Sequence, residues 1–191
     1  MTRIVAGSRR GHRLAVPPGE GTRPTTDRVR EALFSAVVSW AGTGGEEPDH
    51  ALAGLAFADL FAGSGAVGLE AASRGAHPVL LVEAAHPVAA LAARNAAGLG
   101  LDVEVRTGRV GAVLRAPAPR AYDVVFLDPP YDLPGAGVDD LLAGLPAGGW
   151  LAPSALVVAE RRTRDGAPAW PGAFEAWSRR YGETTLHFGA R

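Results

Sequence analysis

From residue 55 onward, short apolar runs alternate with stretches of helical periodicity, and this alternation constrains the fold more than any other feature of the chain. Five runs have the length and composition of buried strands: LAFADLF, PVLLVE, DVEVRT, YDVVFLD and WLAPSALVVAE. Four segments between them have the pattern of helices: VGLEAASRG, HPVAALAARNAAGLG, VGAVLRA and VDDLLAGL. Strands alternating with helices predict a parallel, right-handed, doubly wound α/β sheet. The last segment, AFEAWSRRYGETTLHFG, predicts a terminal hairpin that adds an antiparallel edge strand.

The residues before this alternation predict a separate basic extension. Residues 3–16 have the pattern of a short hairpin or extended arm, and TTDRVREALFSAVVSW predicts a helix capped by its first polar residues. Residues 1–30 hold seven Arg against one Glu and one Asp, an excess of five positive charges in a chain of net charge -1. A basic segment of this kind is typical of polyanion binding, with a solvated tail as the alternative. We predict an arm plus helix over residues 1–45 and the main domain over 46–191.

Length and composition restrict the class of protein. A chain of 191 residues is long enough for one good core and short for two. It has neither a run of about 18 apolar residues nor the apolar segment of a secretory signal. The absence of cysteine excludes disulfides and thiolate metal sites. These features predict a cytoplasmic protein, and a monomer is the default assumption.

The first strand runs into a glycine-rich turn, DLFAGSGAVGLE, that predicts a nucleotide-like cofactor. Asp59, Gly63 and Gly65 fit D-x-x-x-G-x-G, a pattern that resembles S-adenosylmethionine-dependent methyltransferases. Together with Gly68 the same glycines fit the dinucleotide fingerprint G-x-G-x-x-G, and Glu83 after the second strand could bind ribose hydroxyls. A carboxylate beside the loop would repel a pyrophosphate but favour a cationic amino group and a sulfonium. We therefore predict S-adenosylmethionine as the cofactor.

The predicted cofactor-binding residues follow the first three strands. They are Asp59, Phe61, Ala62, Gly63, Ser64, Gly65, Glu83, Ala84, Arg109 and Val110. Many methyltransferases have Asp or Asn at the place of Arg109, where it bonds the exocyclic amine of adenine. In this chain the backbone must supply that hydrogen bond, or the amine goes without it.

The fourth strand ends in LDPPYD, and this segment predicts the catalytic residues Asp128, Pro129, Pro130 and Tyr131. D-P-P-Y resembles the motif of enzymes that methylate exocyclic amines of nucleobases. Such an amine is a poor nucleophile because its lone pair is delocalised into the ring. Hydrogen bonds to the Asp128 carboxylate and the Pro129 carbonyl would direct the lone pair at the methyl group, and Tyr131 offers a stacking face for an extruded base. This chemistry needs no metal.

Four segments in this order resemble the RsmD-type bacterial 16S ribosomal RNA guanine-N2 methyltransferases: RIVAG-x-x-RG-x-x-L, TRPTTDRVREALF, DLFAGSGAVGLEAASRGA and DPPY. The resemblance implies a class I, Rossmann-like methyltransferase sheet of seven strands with a small N-terminal extension. It also implies methyl transfer to the N2 amine of one guanine in 16S ribosomal RNA, within the small subunit or an assembly intermediate. The predicted RNA-binding residues are Arg3, Arg9, Arg10, Arg13, Arg23, Thr25, Thr26, Arg28 and Arg30.

Three other functions remain open at the level of sequence. An adenine-N6 methyltransferase acting on DNA or RNA would use DPPY in the same way. An NAD-dependent oxidoreductase would use the glycine turn but leave DPPY without a role. A non-catalytic RNA-binding protein would not need Asp128.

Overall fold

The computed structural model describes residues 2–17, 26–172 and 174–191. The chain begins with a small antiparallel hairpin in which β1, Thr2–Arg3, pairs with β2, Arg13–Leu14. Helix α1 follows at Asp27–Ala41. Thr26 caps this helix, since its hydroxyl oxygen accepts a hydrogen bond of 3.3 Å from the Val29 N–H. The hairpin and the capped helix were both expected from the sequence.

The elements after α1 alternate as the sequence predicts. The strands are β3 Phe57–Leu60, β4 Val79–Glu83, β5 Glu104–Thr107, β6 Tyr122–Leu127, β7 Leu151–Arg162, β8 Glu175–Tyr181 and β9 Thr184–Ala190. The helices are α2 Ala66–Ser73, α3 His86–Leu99, α4 Val110–Leu114 and α5 Gly135–Ala147, and a single 3₁₀ turn lies at Thr163–Asp165. Of the residues described, no helix is long and apolar enough to cross a membrane.

Strands β3 to β9 form one seven-stranded sheet in the order β5-β4-β3-β6-β7-β9-β8. The five strands from β5 to β7 in this order are parallel, whereas β9 lies antiparallel to both β7 and β8. The terminal hairpin therefore contributes two strands, and its second strand is the inner one. The order reverses at β3 and β6, so the carboxyl ends of these two strands border the crevice where ligands bind in open α/β sheets.

Apolar side chains cover both faces of the sheet. On the first face, hereafter the α1 face, helices α1, α2 and α3 pack over strand residues such as Phe126 and Val158. On the second face, helices α4 and α5 pack over residues such as Leu127 and Val157. Neighbouring residues of one strand thus contribute to opposite faces, as the period of a strand requires. A strand end can therefore present consecutive side chains to different sides of the crevice.

The N-terminal hairpin packs against the same core. Ile4 and Leu14 are buried and belong to the hydrophobic cluster on the α1 face. The hairpin is also held by two hydrogen bonds to Ser73 at the end of α2. The Ser8 N–H donates to the Ser73 carbonyl at 2.7 Å, and the Arg9 N–H donates to the Ser73 hydroxyl at 2.9 Å. The arm predicted from the sequence is thus a docked structural element.

A single buried carboxylate connects the hairpin, α1 and α2. Glu70 of α2 is fully buried, and its two oxygens accept hydrogen bonds from the N–H groups of Val5 at 2.7 Å and Ala6 at 2.8 Å. The Arg74 guanidinium lies 2.9 Å from the Glu70 carboxylate, and that of Arg30 in α1 lies 3.7 Å from it. A buried charge is stable only when it is paired and hydrogen-bonded, and Glu70 meets both conditions.

We expect Glu70→Gln to lower the free energy of unfolding by about 3 kcal/mol, because the buried Arg30 loses part of its counter-charge. Urea denaturation of the variant and the unaltered protein measures the difference. Glu104→Gln is the matched control: Glu104 forms an exposed pair with Arg106 at 2.8 Å, and its loss should cost less than about 1 kcal/mol. Equal losses in the two variants would contradict the assigned role of Glu70.

Candidate active site at the carboxyl edge of the sheet

The glycine turn and the DPPY segment leave the sheet side by side. Strands β3 and β6 are parallel neighbours, and Leu60 pairs with Leu127 at their carboxyl ends. The next residues are Phe61, which begins the glycine turn, and Asp128, which begins DPPY. Two motifs separated by more than sixty residues therefore start from adjacent positions at one edge of the sheet.

The backbone of the glycine turn adopts conformations that side chains disfavour. Gly63 and Gly65 have φ angles of 56° and 86°, and the Gly65 N–H closes the turn on the Ala62 carbonyl at 2.8 Å. Phe61 is the one non-glycine residue of the described chain with a positive φ, at 75°. A non-glycine residue held at positive φ stores backbone strain, and such residues are concentrated at active sites and ligand-binding loops.

The third glycine of the motif, Gly68, lies in α2 and permits a close approach of this helix to the sheet. A Cβ atom on Gly68 would lie 2.1 Å from the Leu81 Cδ2 and 3.2 Å from the Asp59 Cβ. The Gly68 N–H instead donates a hydrogen bond of 2.8 Å to the Asp59 carboxylate. The helix that follows the turn is thus fixed against β3 and β4, and the turn is fixed with it.

Asp59 lies beneath the turn, where it is 1% exposed. Burial raises the pKa of its carboxyl group to about 7; the hydrogen bond from Gly68 opposes this shift, and the nearby charge of Glu83 adds to it. The sequence suggested a carboxylate at the mouth of the loop, but the structure places this one below it. A buried group that changes charge near neutral pH gives the turn an electrostatic response to a cationic ligand.

Glu83, the last residue of β4, is held next to the turn. One of its carboxylate oxygens accepts a hydrogen bond of 3.0 Å from the Gly63 N–H, and the other accepts one of 2.7 Å from the Ala85 N–H. A carboxylate has about four acceptor sites, so these two bonds leave capacity for ribose hydroxyls. Glycine turn, oriented carboxylate and buried Asp59 fit the predicted S-adenosylmethionine. Ala84, between the two contacts, is exposed.

The segment after β5 contains two more of the predicted cofactor-binding residues. Arg109 precedes α4 and is exposed, whereas Val110 is buried among the residues of the second face. The Gly108 N–H donates to the Glu83 carbonyl at 2.9 Å, which places this segment beside the end of β4. Ser64 of the glycine turn is buried like Val110. A guanidinium cannot accept a hydrogen bond from the adenine amine as Asp or Asn does elsewhere, so a cofactor role for Arg109 stays a prediction from the sequence.

The DPPY segment carries an exposed aromatic ring. Tyr131 is 53% exposed, although Pro129, two residues before it, is buried. The guanidinium carbon of Arg162 lies 4.7 Å from the centre of the Tyr131 ring. Arg162 is itself fixed by two hydrogen bonds to Asp165, of 2.8 and 3.0 Å. An oriented, accessible ring at this place can stack on an extruded base.

A larger cavity lies at the opposite edge of the sheet. Its volume is about 280 Å³, and its lining includes the first residues of three strands, Val79, Glu104 and Tyr122. Ligands of open α/β sheets bind at the carboxyl ends of the strands, where the glycine turn and DPPY meet. A shallow depression at that edge is lined by Pro129, Pro130, Tyr131, Leu133, Val138, Glu160, Arg161, Arg162 and Asp165. The chemistry of the residues therefore identifies the carboxyl edge as the candidate active site, although the larger cavity lies at the other edge.

The structure separates the predicted RNA-binding residues into different groups. Arg3, Arg10, Arg13 and Arg28 are exposed, and Thr26 is exposed while it caps α1. Arg9 is partly buried and donates a hydrogen bond to the carbonyl of Leu99. Arg23 and Thr25 lie outside the described residues.

The expectation for Arg30 is wrong, because this side chain does not reach the surface. Arg30 is 0% exposed, donates hydrogen bonds to the Arg3 carbonyl and the Asp27 carboxylate, and lies beside Glu70. Its charge is used inside the protein and is not available to a phosphate. Sequence reasoning treated Arg30 like its neighbour Arg28, since both belong to the same basic segment.

Asn95 is a residue of the site that the sequence analysis did not identify. It is buried on α3, where its amide nitrogen donates to the carbonyls of Ala15 and Ser64, both at 2.9 Å. Its amide oxygen accepts a hydrogen bond of 3.0 Å from the Ala15 N–H. Asn95 therefore joins the N-terminal extension to the glycine turn. The sequence does indicate such a residue, because Asn95 is a single amide on an otherwise apolar face of α3. Glu70 is in the same way a single carboxylate on an apolar face of α2.

A family model and curated relatives both match this chain over most of its length. The family described as "Conserved hypothetical protein 95" matches residues 2–190. The chain is 35% identical over 171 residues to "Ribosomal RNA small subunit methyltransferase D" of Escherichia coli strain K12, covering 88% of this chain and 79% of that protein.

Solved structures agree with this relationship. The Escherichia coli protein yhhF, for which a methyltransferase activity is proposed, matches with a TM-score of 0.83 and 32% identity over 99% of this chain and 97% of its own. The 16S rRNA N2 G1207 methyltransferase RsmC of Thermus thermophilus, solved with AdoMet and guanosine, matches with a TM-score of 0.64 and 19% identity over 89% of this chain and 44% of its own. At that identity the likeness concerns the fold alone. It confirms the predicted class I, Rossmann-like fold.

We expect the stability of the protein to depend on pH through Asp59. Its pKa is about 7 in the folded protein and 3.8 in the unfolded chain, so the folded state retains the proton more strongly. This contribution favours folding fully below pH 4 and is lost as the pH rises to 7 and above. The loss has an upper bound of about 4 kcal/mol, at about 1.4 kcal/mol per pKa unit.

Asp59→Asn removes the titration while the amide oxygen can still accept from Gly68. Urea denaturation at several pH values between 4.5 and 8 should show the variant gaining stability relative to the unaltered protein as the pH rises. A difference that does not change with pH would show that Asp59 is ionised throughout.

Proposed function

The chain belongs to the RsmD family of ribosomal RNA small subunit methyltransferases, and we propose that it transfers the methyl group of S-adenosylmethionine to the exocyclic N2 amine of a guanine in 16S ribosomal RNA. It is an S-adenosylmethionine-dependent enzyme with a ribosomal RNA substrate. The observation that carries the proposal is the pairing of Leu60 with Leu127, because it brings the glycine turn and DPPY together at the switch in strand order.

The cofactor would be held by residues that the fold itself orients. Glu83 would accept hydrogen bonds from the ribose hydroxyls, since backbone N–H groups hold its carboxylate beside the turn. The positive-φ turn at Gly63–Gly65 allows a ligand to approach the backbone, and Asp59 below it favours a cationic amino group. When bound, S-adenosylmethionine supplies an electrophilic methyl group next to DPPY.

Asp128 and the Pro129 carbonyl would act as the acceptors for the target amine. Two hydrogen bonds from the amine to these oxygens draw its nitrogen toward tetrahedral geometry and direct the lone pair at the methyl group. Proline fixes the backbone on both sides of this carbonyl, because the φ angles of Pro129 and Pro130 are restricted. Holding two reacting atoms in line is worth about 7–11 kcal/mol of the barrier, and it is the main contribution that these residues make.

Tyr131 would receive the base after it leaves its stack. Arg162 covers part of the ring from a distance of 4.7 Å, and the pair of hydrogen bonds to Asp165 keeps the guanidinium in place. A ring held in this way loses little freedom when a base stacks on it. Stacking contributes about 1–3 kcal/mol per base and does not depend on base identity.

The RNA would contact the exposed arginines of the N-terminal extension. Arg3, Arg10, Arg13 and Arg28 are available for phosphates, and Thr26 for a hydrogen bond to the RNA. Arg9 contributes to docking of the hairpin, and Arg30 is excluded by its burial. Contacts from Arg23 and Thr25 stay predictions from the sequence. The proposal assigns RNA contact mainly to residues 1–45 and catalysis to residues 46–191.

The substrate is proposed to be 16S RNA within the small ribosomal subunit or an assembly intermediate, as the name of the Escherichia coli relative suggests. A cytoplasmic location follows from such a substrate, and a monomer would suffice because one chain carries both motifs. The alternative of adenine-N6 methylation is not favoured, because the Escherichia coli and Haemophilus influenzae relatives are named ribosomal RNA small subunit methyltransferases and the sequence motifs resemble guanine-N2 enzymes.

The identity of the methylated nucleoside tests this function. The protein is incubated with methyl-labelled S-adenosylmethionine and small ribosomal subunits, free ribosomal RNA or DNA, and the digest is analysed for labelled nucleosides. We expect N2-methylguanosine from ribosomal RNA or its particle. Labelled N6-methyladenosine would support the alternative, and the absence of any labelled nucleoside would contradict both activities.

In the same assay, Asp128→Ala should reduce transfer by about 100-fold or more, since the amine loses one of its two acceptors. Affinity for S-adenosylmethionine, measured by calorimetry, should stay nearly unchanged. Asp132→Ala is the matched control, because Asp132 is exposed four residues further along the same loop. Normal turnover of the Asp128 variant would exclude the proposed role of Asp128 as an acceptor for the target amine.

Salt dependence tests the N-terminal surface. Replacement of Arg10 and Arg13 by Gln should weaken RNA binding and reduce the slope of log K against log salt by about 0.7–0.9 for each phosphate that is no longer neutralised. Arg9 is left intact because its hydrogen bond to Leu99 supports the fold. Arg106→Gln, at the distant β5 edge, should leave the slope unchanged. An unaltered slope in the double variant would show that Arg10 and Arg13 do not contact RNA phosphates.

A further inference from the structure

A second acidic residue lies beside Asp128 at the carboxyl edge of the sheet. Strands β6 and β7 are parallel neighbours, and Leu127 pairs with Ala159. The residues that follow this pair are Asp128 and Glu160. Adjacent strands lie about 4.8 Å apart, so the two residues start from neighbouring positions.

Strand alternation directs the Glu160 side chain to the α1 face. Phe126 and Val158 belong to the hydrophobic cluster on that face, and Leu127 lies on the other. Glu160 lies within β7 and comes two residues after Val158, so it projects to the same side as Val158. Asp128 is the first residue after β6. Leu186 of β9, which pairs with Glu160, belongs to the α1 face as well.

Glu160 also borders the place where the base would stack. It is 9% exposed and contributes to the depression that Pro129, Tyr131 and Arg162 line. A carboxylate that is nine-tenths buried needs hydrogen-bond donors, because burial of the charge is costly without them. With about four acceptor sites, a carboxylate can serve a donor of the protein and a donor of the substrate together.

Guanine and adenine present different groups to such an acceptor. The Watson–Crick edge of guanine carries the N1–H donor directly beside the N2 amine. Adenine has an unprotonated N1 acceptor beside its N6 amine, and its lone pair would face the negative oxygen. A flipped base is read through this edge. A carboxylate next to the two acceptors of the amine, Asp128 and the Pro129 carbonyl, would therefore accept guanine and reject adenine.

We propose that Glu160 is the specificity-determining residue for guanine, and that its carboxylate accepts the N1–H hydrogen bond while Asp128 accepts from N2. This inference rests on the proposed function, because it assigns a role within the same base site. The longer side chain of Glu160 reaches the ring nitrogen, and the shorter one of Asp128 holds the exocyclic amine. The choice between guanine and adenine, which DPPY cannot make, then has a physical origin in β7.

A base that keeps the amine but lacks N1–H tests this contact, and because it also lacks O6 the comparison is made between the unaltered enzyme and a Glu160 variant, for which the O6 difference is the same. 2-Aminopurine carries the exocyclic amine at the same position as guanine, and its N1 is an acceptor. The substrates are small subunits reconstituted with 16S RNA that has guanine or 2-aminopurine at the nucleotide methylated in the labelling assay. The unaltered enzyme should prefer guanine in kcat/KM by about 100-fold.

The variant Glu160→Gln should change this preference. Its amide nitrogen can donate to N1 of 2-aminopurine, so we expect the guanine to 2-aminopurine ratio of kcat/KM to fall by about tenfold or more. A merely structural role would slow both substrates equally and leave the ratio unchanged. Glu175→Gln, an exposed residue at the start of β8, is the matched control and should keep the ratio of the unaltered enzyme.

The outcomes separate this proposal from the function on which it rests. If turnover of the variant is too slow, the ratio of dissociation constants for the two substrates is measured with S-adenosylhomocysteine present, and the same fall is expected. An unchanged ratio with active unaltered enzyme overturns the role of Glu160 alone. Failure of the unaltered enzyme to methylate the guanine substrate overturns the proposed function, and the assignment of Glu160 with it.

Discussion

The fold depends on a charge in its interior. The Glu70 carboxylate is completely buried, yet it binds two backbone N–H groups of the hairpin and lies between the guanidinium groups of Arg30 and Arg74. It belongs to α2, which begins directly after the glycine turn. Whatever fixes α2 therefore also fixes the turn, so one residue ties the N-terminal extension to the cofactor side of the site. Asn95 makes a second connection between the same two parts through Ala15 and Ser64.

Much of the fold was predictable because the information is local. Apolar runs of strand length and helical spacing identified β3 to β7 and the helices between them, and the glycine turn and DPPY could be placed because they follow strand ends. The position of β9 between β7 and β8 was not predicted, since the order of two hairpin strands at a sheet edge depends on tertiary packing. The contacts of Glu70 and Asn95 with the N-terminal extension at Val5, Ala6 and Ala15 join residues 64 to 80 positions apart, which no local pattern reveals.

The basic segment shows where reasoning from residue type fails. Arg28 and Arg30 are two positions apart, yet one is exposed and the other has no exposed surface, because Arg30 belongs to the inner face of α1. Helical spacing could have indicated this, since Arg30 follows Val29 and precedes Leu33 on the buried side. The acidic pair at the proposed base site could not be recognised from the sequence either. Asp128 is part of a motif, whereas Glu160 lies near the end of an ordinary strand, and its position becomes informative only through the β6–β7 register.

The docking of the hairpin has a consequence for the thermodynamics of RNA recognition. Basic tails that bind nucleic acid usually become ordered when they bind, and the entropy lost at that moment reduces their affinity. Here Ile4 and Leu14 are already in the core, and Ser73 already holds the turn between the two strands. The conformational entropy of this segment is lost during folding and not during association. In the proposed complex, Arg10 and Arg13 would therefore meet the RNA from a surface of fixed shape, which would favour selection of one RNA geometry over indiscriminate attraction to any polyanion.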